Sequence, residues 1–144
     1  MLNIEKIKNG IVIDHIKAGQ GIRVFNWLRL DKTPHTVAFV VNAVSKHMGK
    51  KDIIKIDNTI NINFNLLGLI DPNITVNIIE NLLVKKKIKL QLPDCVEDVL
   101  ICKNPRCITS SEKYIQHIFH LENQELRTYR CEYCDDIRLA GEFK

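Results

Sequence analysis

Two cysteine pairs near the C-terminus constrain this chain more than any other feature. Four residues separate Cys102 from Cys107, two separate Cys131 from Cys134, and twenty-three lie between the pairs. Each short spacing lets one turn present two sulfurs to a single ion, and zinc takes four such ligands tetrahedrally. Four thiolates close the coordination shell, so the metal expected here is structural rather than catalytic. An oxidising compartment would favour disulfides instead, whereas a reducing one favours metal ligation. The fifth cysteine, Cys95, has no close partner in sequence and reads as a buried or linker thiol rather than a reactive one.

A knot of this kind belongs to a small segment. The roughly 45 residues around it cannot bury enough apolar surface to fold alone, so the metal must supply stability. The 144 residues leave room for one further domain, and with 45% hydrophobic and 26% charged residues the chain reads as globular. The opening Met1-Leu2-Asn3-Ile4-Glu5 has no secretory pattern. No apolar run approaches the ~20 residues that span a bilayer. The expectation is a cytoplasmic protein without a membrane partner. The net charge of +4 is uneven. Up to Cys102 there are 14 Lys and Arg against 10 Asp and Glu; from Lys103 onward there are 7 of each. A polyanion would be drawn to the first two-thirds of the chain.

In chain order, Ile11–Ile16 reads as a strand ending in the polar Asp14 and His15. Ile22, Phe25 and Leu28 predict a helix over roughly Gln20 to Leu30. Thr36 to Val44 reads as a buried strand, Ser45 to Lys50 as a loop, and Asp52 to Ile56 as a third strand, with Lys51 and Lys55 on one face. Ile62, Leu66, Leu67 and Leu69 mark a second helix, stopped by Asp71-Pro72. Ile74 to Ile79 and Leu82 to Leu90 read as strands joined by a turn at Glu80-Asn81. The order is that of a ferredoxin-like βαββαβ unit with one added strand. The fold class is therefore α+β, a five-stranded antiparallel sheet with two helices, followed by a small all-β zinc domain. Pro93 marks the boundary, giving domains 1–93 and 94–144. In the second, Tyr114 to Leu121 and Glu125 to Arg130 read as a hairpin leading to the second cysteine pair.

Beside the cysteines, a more diffuse constellation gathers on the strands: Asp14, His15, Lys51, Lys55, Asn77 and Lys87. Carboxylate, amide and ammonium groups on one sheet can hydrogen-bond a base and ribose while lysines hold phosphates. The lysine run Lys85, Lys86, Lys87 and Lys89 reads equally well as an edge strand guarded against aggregation. No Gly-rich phosphate loop is present. No nucleophile with a recognisable base and no carboxylate pair supports catalysis. His117 and His120, three apart on an expected strand, point to opposite faces.

The stretches Val12-Ile13-Asp14-His15-Ile16, Met48 through Ile56, Thr75-Val76-Asn77-Ile78-Ile79, Val99 through Cys107 and Cys131-Glu132-Tyr133-Cys134 together resemble the regulatory chains of aspartate carbamoyltransferase. The resemblance implies a non-catalytic subunit of pyrimidine biosynthesis. Its N-terminal domain would bind nucleotide effectors (ATP, CTP, UTP) and pair with a second regulatory chain. Its zinc domain, with Cys102, Cys107, Cys131 and Cys134 as ligands of one ion, would contact the catalytic chain. The nucleotide site it implies comprises Ile4, Glu5, Ile7, Asp14, His15, Lys51, Lys55, Asn77, Ile79, Val84 and Lys87. Asp14 and Lys55 would meet the ribose, Lys87 the phosphates, and backbone near Glu5, Ile7 and Ile79 the base. Lys85-Lys86 departs from the family pattern, which has an apolar residue and glycine there. The alternative is a zinc-ribbon nucleic-acid-binding module. A tail without net positive charge argues against it.

Overall fold

The computed structural model describes residues 7–58 and 64–140. The chain divides into two compact units, Met1–Gln91 and Leu92–Lys144.

Unit 1 is an antiparallel sheet in the order β2-β3-β1-β4-β5. Its strands are β1 (Gly10–Lys17), β2 (Val37–Ser45), β3 (Gly49–Asp57), β4 (Thr75–Glu80) and β5 (Leu83–Lys89). Helix α1 (Gly21–Trp27) follows β1, and a 3-10 helix (Phe64–Leu69) precedes β4. This is the ferredoxin-like order with β5 added beyond β4. Strand alternation separates two faces. Ile11, Ile13, Ile54, Ile56 and Val76 are fully buried on one, and helix α1 packs there against β2 and β3. Phe25 of the helix stacks on Phe39 of β2 at a centroid distance of 5.6 Å. The other face carries the half-buried Val12, Lys51, Lys55 and Asn77.

Asp52 joins the helix to the sheet. Only 1% exposed, its carboxylate accepts the N–H groups of Gly19 at 3.1 Å, Gly21 at 3.0 Å and Asn42 at 3.0 Å. The first two satisfy the entry to α1, which has no side-chain cap of its own. The third fixes a bulge in β2, where Val41 and Asn42 oppose one residue of β3. A Cβ on Gly21 would lie 2.6 Å from the Phe39 ring and 2.7 Å from the Asp52 carboxylate, so the close approach requires glycine.

Several boundaries differ from expectation. β2 is not a buried strand. It lies at the sheet edge, with Val41 54% and Val44 89% exposed, because no described strand of unit 1 pairs its outer side. The loop after it shrinks to residues 46–48, since Gly49 and Lys50 already pair in the ladder. α1 stops at Trp27, and the second helix is a short 3-10 turn; Ile62 lies outside the described residues. β1 extends the expected residues 11–16 by one residue at each end, to Gly10–Lys17, and bulges at Asp14-His15.

Unit 2 is a four-stranded antiparallel sheet in the order β6-β7-β8-β9, comprising Cys95–Glu97, Ile118–Asn123, Thr128–Cys131 and Ile137–Leu139. A single turn of helix, α2 (Ile108–Ser111), follows Cys107. Val96, Leu100, Phe119 and Tyr129 form its core. The Tyr129 hydroxyl donates to the Pro93 carbonyl at 2.7 Å, anchoring the start of the unit. Burial first, and then the Asp94 charge, push that hydroxyl up to about 12, so it remains a donor. The expected hairpin is present but shorter. Tyr114, 82% exposed, precedes it rather than belonging to it. The flanking strands β6 and β9 were not foreseen; three residues each are too few to show a period. Cys95 is exposed on β6, not buried.

Candidate functional site

The four cysteines converge. Cys102 Sγ lies 3.6 Å from Cys134 Sγ, and Cys107 Sγ lies 3.8 Å from Cys131 Sγ. All four sulfurs fall within 4.8 Å of one another. Cys102, Cys107 and Cys131 are buried, and Cys134 is partly so. Each pair comes from one knuckle of chain, the first running into α2 and the second closing β8.

Two neighbours that the sequence did not connect to the cysteines hold the cluster. The Thr109 hydroxyl donates to Cys107 Sγ at 3.1 Å. Burial raises the Cys107 thiol, but the Thr109 hydroxyl and backbone N–H outweigh it and bring the group to about 7. Burial holds Cys102 high instead, pushed up to about 12. His117 Nδ1 accepts the Cys102 backbone N–H at 3.1 Å, fixing the first knuckle, so its proton sits on Nε2. His117 lies just before β7 and not on it, which removes the strand-parity argument that separated it from His120. A Thr two residues past a cysteine was the available signal for the first of these. For His117, fifteen residues from its partner, the sequence held none.

The second constellation lies in unit 1. Register places Lys55 opposite Val12, Val12 opposite Asn77, and Asn77 opposite Lys87. Directly paired residues share a face, so these four form one row across β3, β1, β4 and β5. The row crosses three strand spacings, about 14 Å. Ile79 and Val84 pair on the same face one step along, and Asp14 pairs with Thr75 one step the other way. Asp14 Oδ1 meets Lys51 Nζ at 2.9 Å and also accepts the His15 N–H at 2.6 Å. His15 takes a left-handed backbone (φ 58°) at the β1 bulge, and its Nδ1 lies 2.9 Å from the Thr75 hydroxyl. Ile7 is half-buried ahead of β1; Ile4 and Glu5 lie outside the described residues.

Asn77 carries the sharpest signal on this face. Its Oδ1 is buried and has no hydrogen-bond partner among the described residues. An acceptor left so costs about 1–3 kcal/mol. The lysine run splits by parity. Lys87 and Lys89 share the face of Asn77 and Thr75, whereas Lys86 opposes Ile78 on the other. Lys85, unpaired in the ladder, turns back to Glu80 at 2.8 Å. β5 is also an edge strand.

A family model described as the aspartate carbamoyltransferase regulatory chain, allosteric domain, matches residues 2–91, and one described as its metal binding domain matches residues 94–142. This chain belongs to the aspartate carbamoyltransferase regulatory chains. Relatives of that name are similar over almost their whole length. The one from Clostridium tetani is 58% identical over 138 residues, covering 95% of this chain and 96% of its own. That from Clostridium botulinum strain Hall is 54% identical over 142 residues, covering 99% and 97%. That from Bifidobacterium longum is 38% identical over 135 residues, covering 94% and 97%. As a regulatory chain it is a non-catalytic subunit. Its metal-binding domain is the part that gathers the four cysteines. Among the described residues no helix is long and apolar enough to cross a membrane.

Proposed function

We propose that this regulatory chain binds nucleotide effectors on the open face of the unit 1 sheet and couples them to aspartate carbamoyltransferase catalytic chains. The observation that carries the reading is the row Lys55–Val12–Asn77–Lys87, with the Asp14–Lys51 pair beside it. Val12 offers an apolar floor. Asn77 offers an amide whose acceptor is unused. The lysines stand at opposite ends, so ribose and phosphates rest on different strands. Asp14 and Lys55 meet the ribose and Lys87 the phosphates; Lys51, His15, Ile79 and Val84 line the same site. Backbone near Glu5, Ile7 and Ile79 meets the base, with Ile4 in the same site. Residues 1–93 form this effector domain.

Residues 94–144 form a zinc domain that contacts the catalytic chain. The sulfur separations support zinc as the ion. Four ligands at about 2.3 Å in a tetrahedron stand about 3.8 Å apart, close to the 3.6 and 3.8 Å observed. Cys102, Cys107, Cys131 and Cys134 would hold it. The ion supplies cross-linking of two knuckles and leaves no open position for chemistry.

The homodimer forms through unit 1. Of its two sheet edges, β5 carries Lys85, Lys86, Lys87 and Lys89 and repels a second copy, whereas β2 exposes Val41 and Val44. The assembly is cytoplasmic and serves pyrimidine biosynthesis. A nucleotide binding two quaternary states unequally shifts their balance by that difference, typically about 1–3 kcal/mol. Mixing the purified chain with catalytic trimers and titrating ATP, CTP and UTP tests this. Aspartate saturation is expected to move with at least one of them; a curve unmoved by all three rejects the effector role.

A further inference from the structure

Away from the four-cysteine cluster, a second set of metal-ligating side chains stands on the outer face of the unit 2 sheet. The β6–β7 ladder pairs Cys95 with His120 and Glu97 with Ile118. The Leu121 N–H donates to the Asp94 carbonyl and the Asp98 N–H to the His117 carbonyl. Antiparallel pairs alternate between hydrogen-bonded and non-bonded positions, so Cys95 and His120 form a non-bonded pair. That is the type whose Cα atoms approach to about 4.5 Å and whose side chains lie closest. His120 Nε2 is already 3.0 Å from Glu132 Oε1, brought there by the Glu132 N–H bonded to the Ile118 carbonyl. Cys95 is exposed, and the His120 and Glu132 side chains are 38% and 44% exposed. Burial raises the Cys95 thiol, and the charges of Glu97 and Glu132 raise it further. The Arg130 guanidinium shares this face through its pairing with His120, but Asp135 holds it at 2.6 Å and neutralises it.

We propose that Cys95, His120 and Glu132 form a second, surface site for a thiophilic divalent cation of the zinc class. A sulfur, an imidazole nitrogen and a carboxylate oxygen are the donor types zinc takes, and a mixed soft set discriminates against magnesium and calcium. The site is open. Three protein ligands leave a fourth position for water, unlike the closed four-sulfur cluster. It assembles by rotation of exposed side chains about a cross-strand pair the ladder already fixes. Binding displaces the thiol proton and sets the cation between the Cys95 sulfur, the His120 imidazole and the Glu132 carboxylate. The proposal does not depend on the effector reading of unit 1.

Equilibrium dialysis of the full chain against Zn2+ tests it. The unaltered chain is expected to hold two equivalents, and Cys95→Ser and His120→Ala to keep one and bind the other at least tenfold more weakly. Saturation of the unaltered chain at one equivalent overturns the site, as does an undiminished second equivalent in either variant. Alkylation of Cys95 by iodoacetamide, mapped by mass spectrometry, tests the unaltered chain directly. The second equivalent is expected to slow it at least tenfold, and an unchanged rate overturns the proposal even if a variant misfolds.

Discussion

Asp14 and Lys51 meet across adjacent strands at 2.9 Å, with only 20% and 17% of their side chains exposed. The same Asp14 oxygen accepts the His15 N–H, so the carboxylate ties the β1 bulge to β3. Shielding of this degree places the pair between a surface ion pair, worth about 0–1 kcal/mol, and a buried one. A double-mutant cycle with Asp14→Asn and Lys51→Ala is expected to give a coupling of about 1–2 kcal/mol. Trp27, the single tryptophan, reports unfolding of unit 1 in urea. Independent, additive losses would refute the coupling.

Lys87 and Lys86 are neighbours in sequence on opposite faces of β5. Lys87→Ala is expected to weaken triphosphate binding about 10–100-fold, the value of a charge-assisted hydrogen bond of about 1.5–3 kcal/mol. Lys86→Ala is expected to change it less than about threefold, as for one exposed charge. Calorimetric titration of both variants checks the contrast; equal losses would mean that net charge rather than placement governs binding.

The unpartnered Asn77 Oδ1 predicts that stability and binding part company. Asn77→Val removes an unsatisfied acceptor and places a β-branched residue in a strand. Its unfolding free energy in urea is expected to stay level or rise by up to about 1 kcal/mol, while nucleotide affinity drops about tenfold. A destabilised variant with normal affinity would show that the amide serves the fold.

Metal removal is expected to act on unit 2 alone. A structural zinc contributes about 10–16 kcal/mol, as much as the total stability of a typical domain. Chelation should abolish dichroism from unit 2 and leave Trp27 fluorescence unchanged. Thiolates bind the ion and protons compete for them, so metal affinity should rise with pH and fall on acidification. Cys131→Ser should lower zinc content to near zero at micromolar protein. A tail whose dichroism survives chelation would contradict this.

Val44, 89% exposed on β2, is the simplest probe of pairing between copies. Val44→Lys is expected to raise the dimer dissociation constant at least tenfold in sedimentation equilibrium, since a charge on an edge strand opposes edge-to-edge pairing. An unaltered constant would point away from the β2 edge.

The elements legible in the sequence were those with several periods of pattern. β3 alternates over residues 51–56, β1 and β4 are runs rich in β-branched residues, and the cysteine spacing announces its own geometry. What stayed hidden depends on partners distant in sequence. Asp52 looks like the polar start of a strand, and nothing local says that its carboxylate will collect N–H groups from Gly19, Gly21 and Asn42. His117 reaches Cys102 only once the knuckle has folded. Val41 and Val44 read as core, because composition cannot tell an edge strand from a central one. The bulges were equally hidden, since each is defined by a count of residues on the opposing strand.

One of those bulges changes what the lysine run tolerates. Val84 and Lys87 are three apart and would point to opposite faces of a regular strand, yet both share the face of Asn77, because Lys85 is an extra residue in β5. Lys85, Lys86 and Lys87 are identical, so losing any one of them yields the same shortened chain. That chain pairs as a regular ladder, with its remaining lysines opposite Ile78 and Asn77 as before. A single-codon slip in this homopolymeric stretch is therefore silent for the position of the lysine beside Asn77. Loss of one residue between Asn77 and Ile79, where no spare exists, would invert every side chain beyond it.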